Sequence, residues 1–415
     1  MNTGDIQIAL PPSKSMSNRW QVVNHLMGGR FVLKNQSISD DSALLRRLLQ
    51  QLKNGTGSVF YCENAGTVAR FLLALLCTQQ GDYVLTGDER LFLRPIDDLV
   101  QALRSMGFSI TYMERDGRLP VRIIGGAASR KMVSVHAEKS SQFASALMLM
   151  GLALPMGVSV SLVGRIASRP YIEMTVQVLR QAGVEVSTST NGHSFIVAPC
   201  PPPTVQKRTI TIENDWSAAA AFYAAAALLP GCRIRLRNLS LDSCQGDRVV
   251  ADIFGHLGVT TQQVHSPYRR GVSSLRITSN GECERVVKHN FVDCPDLFPS
   301  VAVACAALGV EARLRGIRNL RLKESDRIEA VENELRRMGC NTEQTDDQFR
   351  IIPSTLQAVD TIHTYGDHRI AMAFAPLLLL FPDMIIEDPD VVSKSFPDFW
   401  QQFNPILKWR RTNGS

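Results

Sequence analysis

Aromatic residues are scarce, 7% of the 415 residues, and no basic tract is interleaved with them. Single-stranded nucleic acid is held by stacking rings set among cations, so the net charge of +6 does not read as a nucleic-acid surface. It suits sites for small phosphates and carboxylates. The nine cysteines are scattered and none forms C-x-x-C; Cys77 and Cys305 lie inside apolar runs. That excludes a disulfide framework and points to reduced, buried thiols in a cytoplasmic protein. No H-E-x-x-H and no His/Cys cluster is present, so neither a metal nor another cofactor is expected. The apolar runs are broken by Gly or Pro and fall short of the ~20 residues a bilayer requires. The start, MNTGDIQIALPPSKS, lacks a basic-then-apolar leader pattern. No membrane or nucleic-acid partner is expected, and a monomer is.

Small residues, by contrast, are abundant and organised. Six runs open on Ser, Asp or Asn and continue apolar: SKSMSNRWQVVNHLMGG, ENAGTVARFLLALLC, KSSQFASALMLMGLAL, NDWSAAAAFYAAAALLPG, CPDLFPSVAVACAALG and GDHRIAMAFAPLLLL. Each predicts a buried helix capped by a polar side chain. A helix N-terminus has unpaired N–H groups and a partial positive charge, so several such ends together would gather an anion.

Amphipathic helices alternate with them: SDDSALLRRLLQQL, RPIDDLVQALRSMG, RPYIEMTVQVLRQAG, GDRVVADIFGHLG, SDRIEAVENELRRMG and SFPDFWQQFNP. Ile96, Leu99, Leu103 and Met106 fall on one face, as do Ile328, Val331, Leu335 and Met338. Four end at Gly107, Gly183, Gly258 and Gly339, recurring roughly every 75–80 residues, a period too long for a short solenoid repeat. Strand pairs follow these glycines and β-rich segments precede them, so the unit reads strand, helix, strand, helix, strand, strand, used six times. At this length two domains are the default. APCPPPT marks a break near the middle, with the crossing placed near Glu213-Asn214 and DIQIAL completing a unit in the second half. The predicted domains are 13–212, and 1–12 with 213–415, with the functional cleft between them.

Polar and basic clusters recur at the helix starts. They are Lys14, Ser15 and Arg19; Asn64, Gly66, Thr67 and Arg70; Arg90 and Arg94; Ser140, Ser141 and Gln142; Lys323, Glu324 and Arg327; Asp367, His368 and Arg369; and Lys394. Arg at a helix start opposes the dipole, which an anionic ligand would justify. Singly, each is as readily structural: Asp367 and Asp296 as caps, His368 as a core residue. Recurrence at equivalent points of a repeat favours function.

The ordered set S-K-S-x-S-N-R, N-A-G-T-x-x-R, S-S-Q-F, S-R-P-Y, K-E-S-D-R, G-D-H-R-x-A-M and S-K-S-F-P-D-F closely resembles the 5-enolpyruvylshikimate-3-phosphate synthase family over nearly the whole chain. The resemblance implies an α/β, two-domain enolpyruvyl transferase-like fold, each domain three βαβαββ units in an inside-out α/β barrel or prism. It implies transfer of the enolpyruvyl group of phosphoenolpyruvate to the 5-hydroxyl of shikimate 3-phosphate, by addition and then elimination of phosphate. Shikimate 3-phosphate would meet Lys14, Ser15, Arg19, Ser140, Ser141, Gln142, Ser168, Tyr171, Asp296, Asn319 and Lys323. Phosphoenolpyruvate would meet Lys14, Asn64, Gly66, Thr67, Arg90, Gln142, Arg327, Asp367, His368, Arg369 and Lys394. Asp296 would take the hydroxyl proton, and either Glu324 or a lysine such as Lys14 would protonate the methylene. The chain departs from the pattern at Pro11-Pro12, where Pro-Gly is usual, and at Phe71, where Pro is frequent.

Two rival readings remain at this stage. A UDP-N-acetylglucosamine enolpyruvyl transferase shares fold and donor but usually carries a loop Cys, absent from GDERLFLRP. A non-catalytic anion-binding module would keep the cations without needing Asp296 and Glu324.

Overall fold

The structure, a computed structural model, describes residues 4–202, 206–265 and 273–413. Pro203 and Thr204, at the end of the APCPPPT break, lie outside the described residues. The chain divides into two compact units: Lys14–Ile212, and the residues up to Ser13 together with those from Glu213 onward.

Helices of the first unit are α1 (Lys14–Leu26), α2 (Asp40–Asn54), α3 (Gly66–Cys77), α4 (Glu89–Phe92), α5 (Asp97–Ser105), α6 (Ser141–Met150) and α7 (Arg169–Gln181). Those of the second are α8 (Trp216–Leu228), α9 (Val250–Gly255), α10 (Phe298–Ala307), α11 (Arg327–Arg337), α12 (His368–Phe374) and α13 (Phe399–Asn413). The glycines punctuate as expected: Gly107 and Gly183 follow α5 and α7 with φ of 97° and 88°, values an L side chain rarely adopts. The final helix differs from its prediction, running on through Pro405 instead of stopping there.

Four sheets share one pairing. In the first unit Val59–Tyr61 runs parallel to Gly81–Thr86, followed by antiparallel Val121–Gly125 and Ser109–Tyr112. Met132–His136, Val158–Val163, Ser194–Val197 and Val186–Thr188 repeat it. In the second unit the sets are Ile6–Ile8, Arg233–Arg237, Ser273–Ser279 and Val259–His265, then Val286–Asn290, Glu311–Arg315, Gln348–Ile352 and Asn341–Gln344. The remaining two sheets are only parallel pairs, Phe31–Lys34 with Arg208–Thr211 and Thr361–Ile362 with Ile385–Ile386. The sixfold βαβαββ reading is therefore complete in four places. The last repeat ends with α13, the helix predicted over SFPDFWQQFNP.

Burial explains the layering. Along Val121–Gly125 the side chains alternate, Val121 and Ile123 buried, Arg122 and Ile124 exposed, so each sheet packs by one face. α8 is buried from Trp216 to Ala227, with no exposed stripe. Its alanines favour helix and keep it thin enough to be surrounded. Strand pairing stays within six separate sheets among the described residues.

None of the nine cysteines is joined in a disulfide. No helix among the described residues is long and apolar enough to cross a membrane.

Candidate active site

Helix starts do not all behave as the pattern suggested. Ser140 caps α6, Asp215 caps α8 and Asp367 caps α12, each accepting from a backbone N–H two residues on. α3 and α10 begin after Ala65 and Leu297 without a side-chain cap. Asp296 is therefore not the cap of α10. It sits in a short 3-10 turn, Pro295–Leu297, just before that helix, which leaves its carboxylate available to other groups.

Those groups are cations. Asp296 Oδ1 accepts from Arg327 Nη1 at 2.9 Å and from Lys323 Nζ at 3.3 Å, and Oδ2 accepts from Arg369 Nη2 at 3.4 Å. Burial alone would raise the Asp296 carboxyl. Lys323, Arg369 and Arg327 outweigh it and hold the group well below the usual carboxylate range, against a smaller opposing push from Glu324. Ion pairs at such distances are worth about 4 kcal/mol each at an effective dielectric near 20, so three offset a desolvation cost of several kcal/mol.

Arg327 opens α11 and is 1% exposed. Its Nη2 reaches Glu324 Oε2 at 2.9 Å, and its Nε reaches Asp367 Oδ2 at 2.8 Å. One guanidinium thus bridges three carboxylates, its five N–H donors spread in a fixed planar fork. Asp326, next to it, caps α11 by accepting from the Ile328 and Glu329 N–H groups.

Asp367 is fully buried, and its oxygens accept from Arg327, the Ser325 hydroxyl and the Arg369 N–H. His368 is also buried, its Nδ1 3.6 Å from Asp367 Oδ1. Asp367 thus holds the Arg327 guanidinium and the start of α12, with His368 buried beside it. Asn319 lies in the 3-10 turn Arg318–Leu322 and Lys394 at the end of another, Pro389–Lys394.

A buried acid escaped sequence reasoning. The hydroxyl of Ser217, the second residue of α8, donates to Asp247 Oδ2. Burial and the nearby Asp296 charge push Asp247 up to about 7, against the Ser217 hydrogen bond and Arg369. The only signal in the sequence was an acid in GDRVV, which reads equally as a first-turn residue. This pair accounts for the start of α8, for which the sequence suggested no ligand.

The first unit holds its own cluster. Lys14 Nζ donates to Asp41 Oδ2 at 2.9 Å, and both side chains are largely buried. Gln142, just inside α6, donates through Nε2 to Thr67 Oγ1 at 2.9 Å and accepts from Arg70 Nη1 at 2.7 Å. Arg70 and Arg94 are both buried. A Cβ added at Gly66 would meet Arg94 Nη1 at 2.6 Å and Arg70 Nη1 at 2.7 Å. Arg70 and Arg94 stood among the basic clusters but outside the expected ligand set; the structure brings both to Gly66. Asn64 lies two residues before α3, and Arg90 is exposed within α4.

Arg19 is turned inward, 1% exposed, donating to Thr175 Oγ1, Ser15 O, Ser145 Oγ and Tyr171 O. Ser141 opens α6. Ser168 precedes α7 with φ of 55°, a left-handed conformation uncommon for a residue with a Cβ and frequent at functional sites.

Fold and site geometry define an α/β enzyme with buried cations gathered at helix starts, an arrangement for acid–base chemistry on anionic substrates. Residues 3–403 match the model of the EPSP synthase family (3-phosphoshikimate 1-carboxyvinyltransferase), and the chain belongs to that family. A 3-phosphoshikimate 1-carboxyvinyltransferase of Bacteroides fragilis (strain YCH46) is 38% identical over 396 residues, covering 95% of this chain and 93% of its own. One from Vibrio cholerae serotype O1 (strain M66-2) is 33% identical over 425 residues, covering 97% of each chain. The solved structure of EPSP synthase from Acinetobacter baumannii superposes with a TM-score of 0.72 over 96% of this chain and 95% of that one, at 24% identity, a likeness of fold.

Proposed function

We propose that this protein transfers the enolpyruvyl group of phosphoenolpyruvate to the 5-hydroxyl of shikimate 3-phosphate and releases phosphate. The observation that carries the reading is Asp296, a carboxylate kept ionised by Lys323, Arg327 and Arg369 from two other segments of the chain. A base so held is ready to accept a hydroxyl proton at neutral pH.

Both units contribute. Shikimate 3-phosphate is bound by Lys14, Ser15, Arg19, Ser140, Ser141, Gln142, Ser168, Tyr171, Asp296, Asn319 and Lys323. Phosphoenolpyruvate is bound by Lys14, Asn64, Gly66, Thr67, Arg90, Gln142, Arg327, Arg369 and Lys394. In the addition step Asp296 takes the proton from the 5-hydroxyl, whose oxygen bonds to C2 of phosphoenolpyruvate, while C3 gains a proton to become a methyl. In the elimination step the C2–O bond to phosphate breaks and the methyl returns a proton, restoring the C2–C3 double bond. Glu324, beside Arg327, exchanges the proton at C3, with Lys14 as the alternative donor. Fixed cations stabilise the anionic intermediate and contribute most of the rate. The protein acts in the cytoplasm as a monomer.

The test is phosphate release measured with each substrate alone and with both. Release that depends on both supports the reading. Release from phosphoenolpyruvate with UDP-N-acetylglucosamine, and none with shikimate 3-phosphate, overturns it.

A further inference from the structure

Tyr365 holds a backbone conformation that its side chain disfavours. It lies in the turn before α12 with φ of 56°, in the left-handed region that a bulky residue rarely enters. Gly366 follows at φ of 62°, where the lack of a Cβ removes the strain. The Asp367 N–H then donates to Thr364 O at 2.9 Å and closes the turn. A strained residue persists where the surrounding structure fixes it, and such residues cluster at functional sites.

Glu334 supplies the fixing contact. It lies on α11, two turns after Arg327, and is fully buried. Its Oε1 accepts from the Tyr365 hydroxyl at 2.8 Å. Its Oε2 accepts from the His363 N–H at 3.2 Å and from Arg337 Nη1. Arg337 in turn donates through Nη2 to Thr361 O at 2.9 Å. Burial and the bond to Glu334 push the Tyr365 hydroxyl up to about 12, so at neutral pH it keeps its proton and donates.

α11 and the segment leading into α12 are therefore joined at two points. Arg327 Nε and Asp367 Oδ2, 2.8 Å apart, tie their starts, and Glu334 ties the turn through Tyr365. The second tie governs how the chain enters α12. Asp367, two residues on, accepts from the Arg369 N–H at 2.9 Å, and Arg369 Nη2 reaches Asp296 Oδ2 at 3.4 Å. That contact is longer than those from Arg327 and Lys323 to the same carboxylate, so a small tilt of the turn would lose it first.

We infer that Tyr365 is a positioning residue for the phosphoenolpyruvate site: its hydroxyl, anchored on Glu334, holds the turn that sets Asp367 between Arg327 and Arg369. This rests on the proposed function, in which both arginines bind phosphoenolpyruvate. Without the anchor the backbone relaxes out of the left-handed region, Asp367 shifts, and the two guanidinium groups lose their shared alignment. Most residues assigned to shikimate 3-phosphate, among them Ser15, Ser140 and Tyr171, belong to the first unit. The effect therefore falls more on phosphoenolpyruvate than on shikimate 3-phosphate.

The experiment compares Tyr365→Phe, Glu334→Gln and Glu334→Leu with the unaltered enzyme, measuring KM for each substrate, kcat and melting temperature. Phe keeps the ring and removes the donor; Gln keeps an acceptor oxygen, and Leu does not. Tyr365→Phe and Glu334→Leu are expected to raise KM for phosphoenolpyruvate roughly three- to tenfold, part of the worth of a hydrogen bond to a charged group. Glu334→Gln should stay within about twofold, and KM for shikimate 3-phosphate should change by less than about twofold in all three. A lower melting temperature in Tyr365→Phe with KM for phosphoenolpyruvate unchanged overturns the inference, as does an equal rise in both KM values. So does a Glu334→Gln variant that raises KM for phosphoenolpyruvate as much as Tyr365→Phe, a comparison that holds even if Glu334→Leu fails to fold. An unaltered enzyme that needs only one of the two substrates overturns the functional reading beneath it.

Discussion

The Asp296 carboxylate and the Arg327 guanidinium meet at 2.9 Å, although 3-10 turn and helix bring them from segments 31 residues apart. Arg327 also binds Glu324 and Asp367, so the proposed base, the proposed proton-exchange group and the cap of α12 share one cation. The electrostatic state of each depends on the others.

Asp296→Asn removes the proton acceptor while keeping the shape. Turnover is expected to fall ~10²–10⁴-fold, the usual cost of losing a general base. Binding of shikimate 3-phosphate, measured by calorimetry, should stay within about tenfold, because the cations around position 296 remain. Turnover within a factor of a few of the unaltered enzyme would reject Asp296 as the base.

Replacing Arg327 leaves three acids facing one another. Arg327→Met is expected to cost about 3–5 kcal/mol of stability, as removal of one partner from a buried ion pair typically does. Arg327→Lys should recover only part of it, since one ammonium cannot reach all three carboxylates in the plane of a fork. Denaturant unfolding followed by circular dichroism checks both, and full recovery by Lys would contradict the bridging role.

Gly66→Ala introduces a methyl 2.6 Å from Arg94 Nη1 and 2.7 Å from Arg70 Nη1. Both contacts are the far ends of flexible side chains, so the guanidinium groups move and the fold survives. KM for phosphoenolpyruvate is expected to rise at least several-fold, with the melting temperature nearly unchanged. Separate titrations of the two substrates test this; an unchanged KM for phosphoenolpyruvate would place the arginines outside its site.

Asp247 makes stability depend on pH in the direction opposite to a salt-bridged acid. Its pKa is raised to about 7 in the folded protein, so the folded state binds a proton that the unfolded state has already released. That stabilisation is fully present below the unfolded value near 4 and is lost as pH rises to about 7, by at most about 1.4 kcal/mol per pH unit. Asp247→Asn should flatten the fall in melting temperature between pH 5 and 7. A pH profile identical to that of the unaltered protein would exclude Asp247 as its source.

Much of the architecture was legible one segment at a time. Ile96, Leu99 and Leu103 mark the buried face of α5, and Trp216 through Ala227 read as a helix with no exposed side, because helix periodicity and side-chain volume are local properties. The pairing rule of the four full sheets also follows from local signals, since a hairpin after a glycine-ended helix is set by nearby residues. The two-stranded sheets were not legible: Phe31–Lys34 pairs with Arg208–Thr211 across most of the first unit, and no local pattern specifies a partner so far along the chain.

The candidate site divides along the same line. Charge type and helix-start position are written in the sequence, so Lys14, Asp296, Lys323, Arg327 and Arg369 could be singled out as chemistry-bearing groups. Which of them meet was decided by tertiary packing. Asp296 reads as a cap until the 3-10 turn aims it at three cations, and Asp367 reads as a ligand until burial assigns its oxygens to Arg327 and Arg369. Asp247 carries no signal beyond an acid in GDRVV until folding brings it to Ser217 at the start of α8. Sequence determines which charges are available and their local secondary structure. Only the folded chain determines the distances and desolvation on which a pKa, an ion pair and a reaction depend.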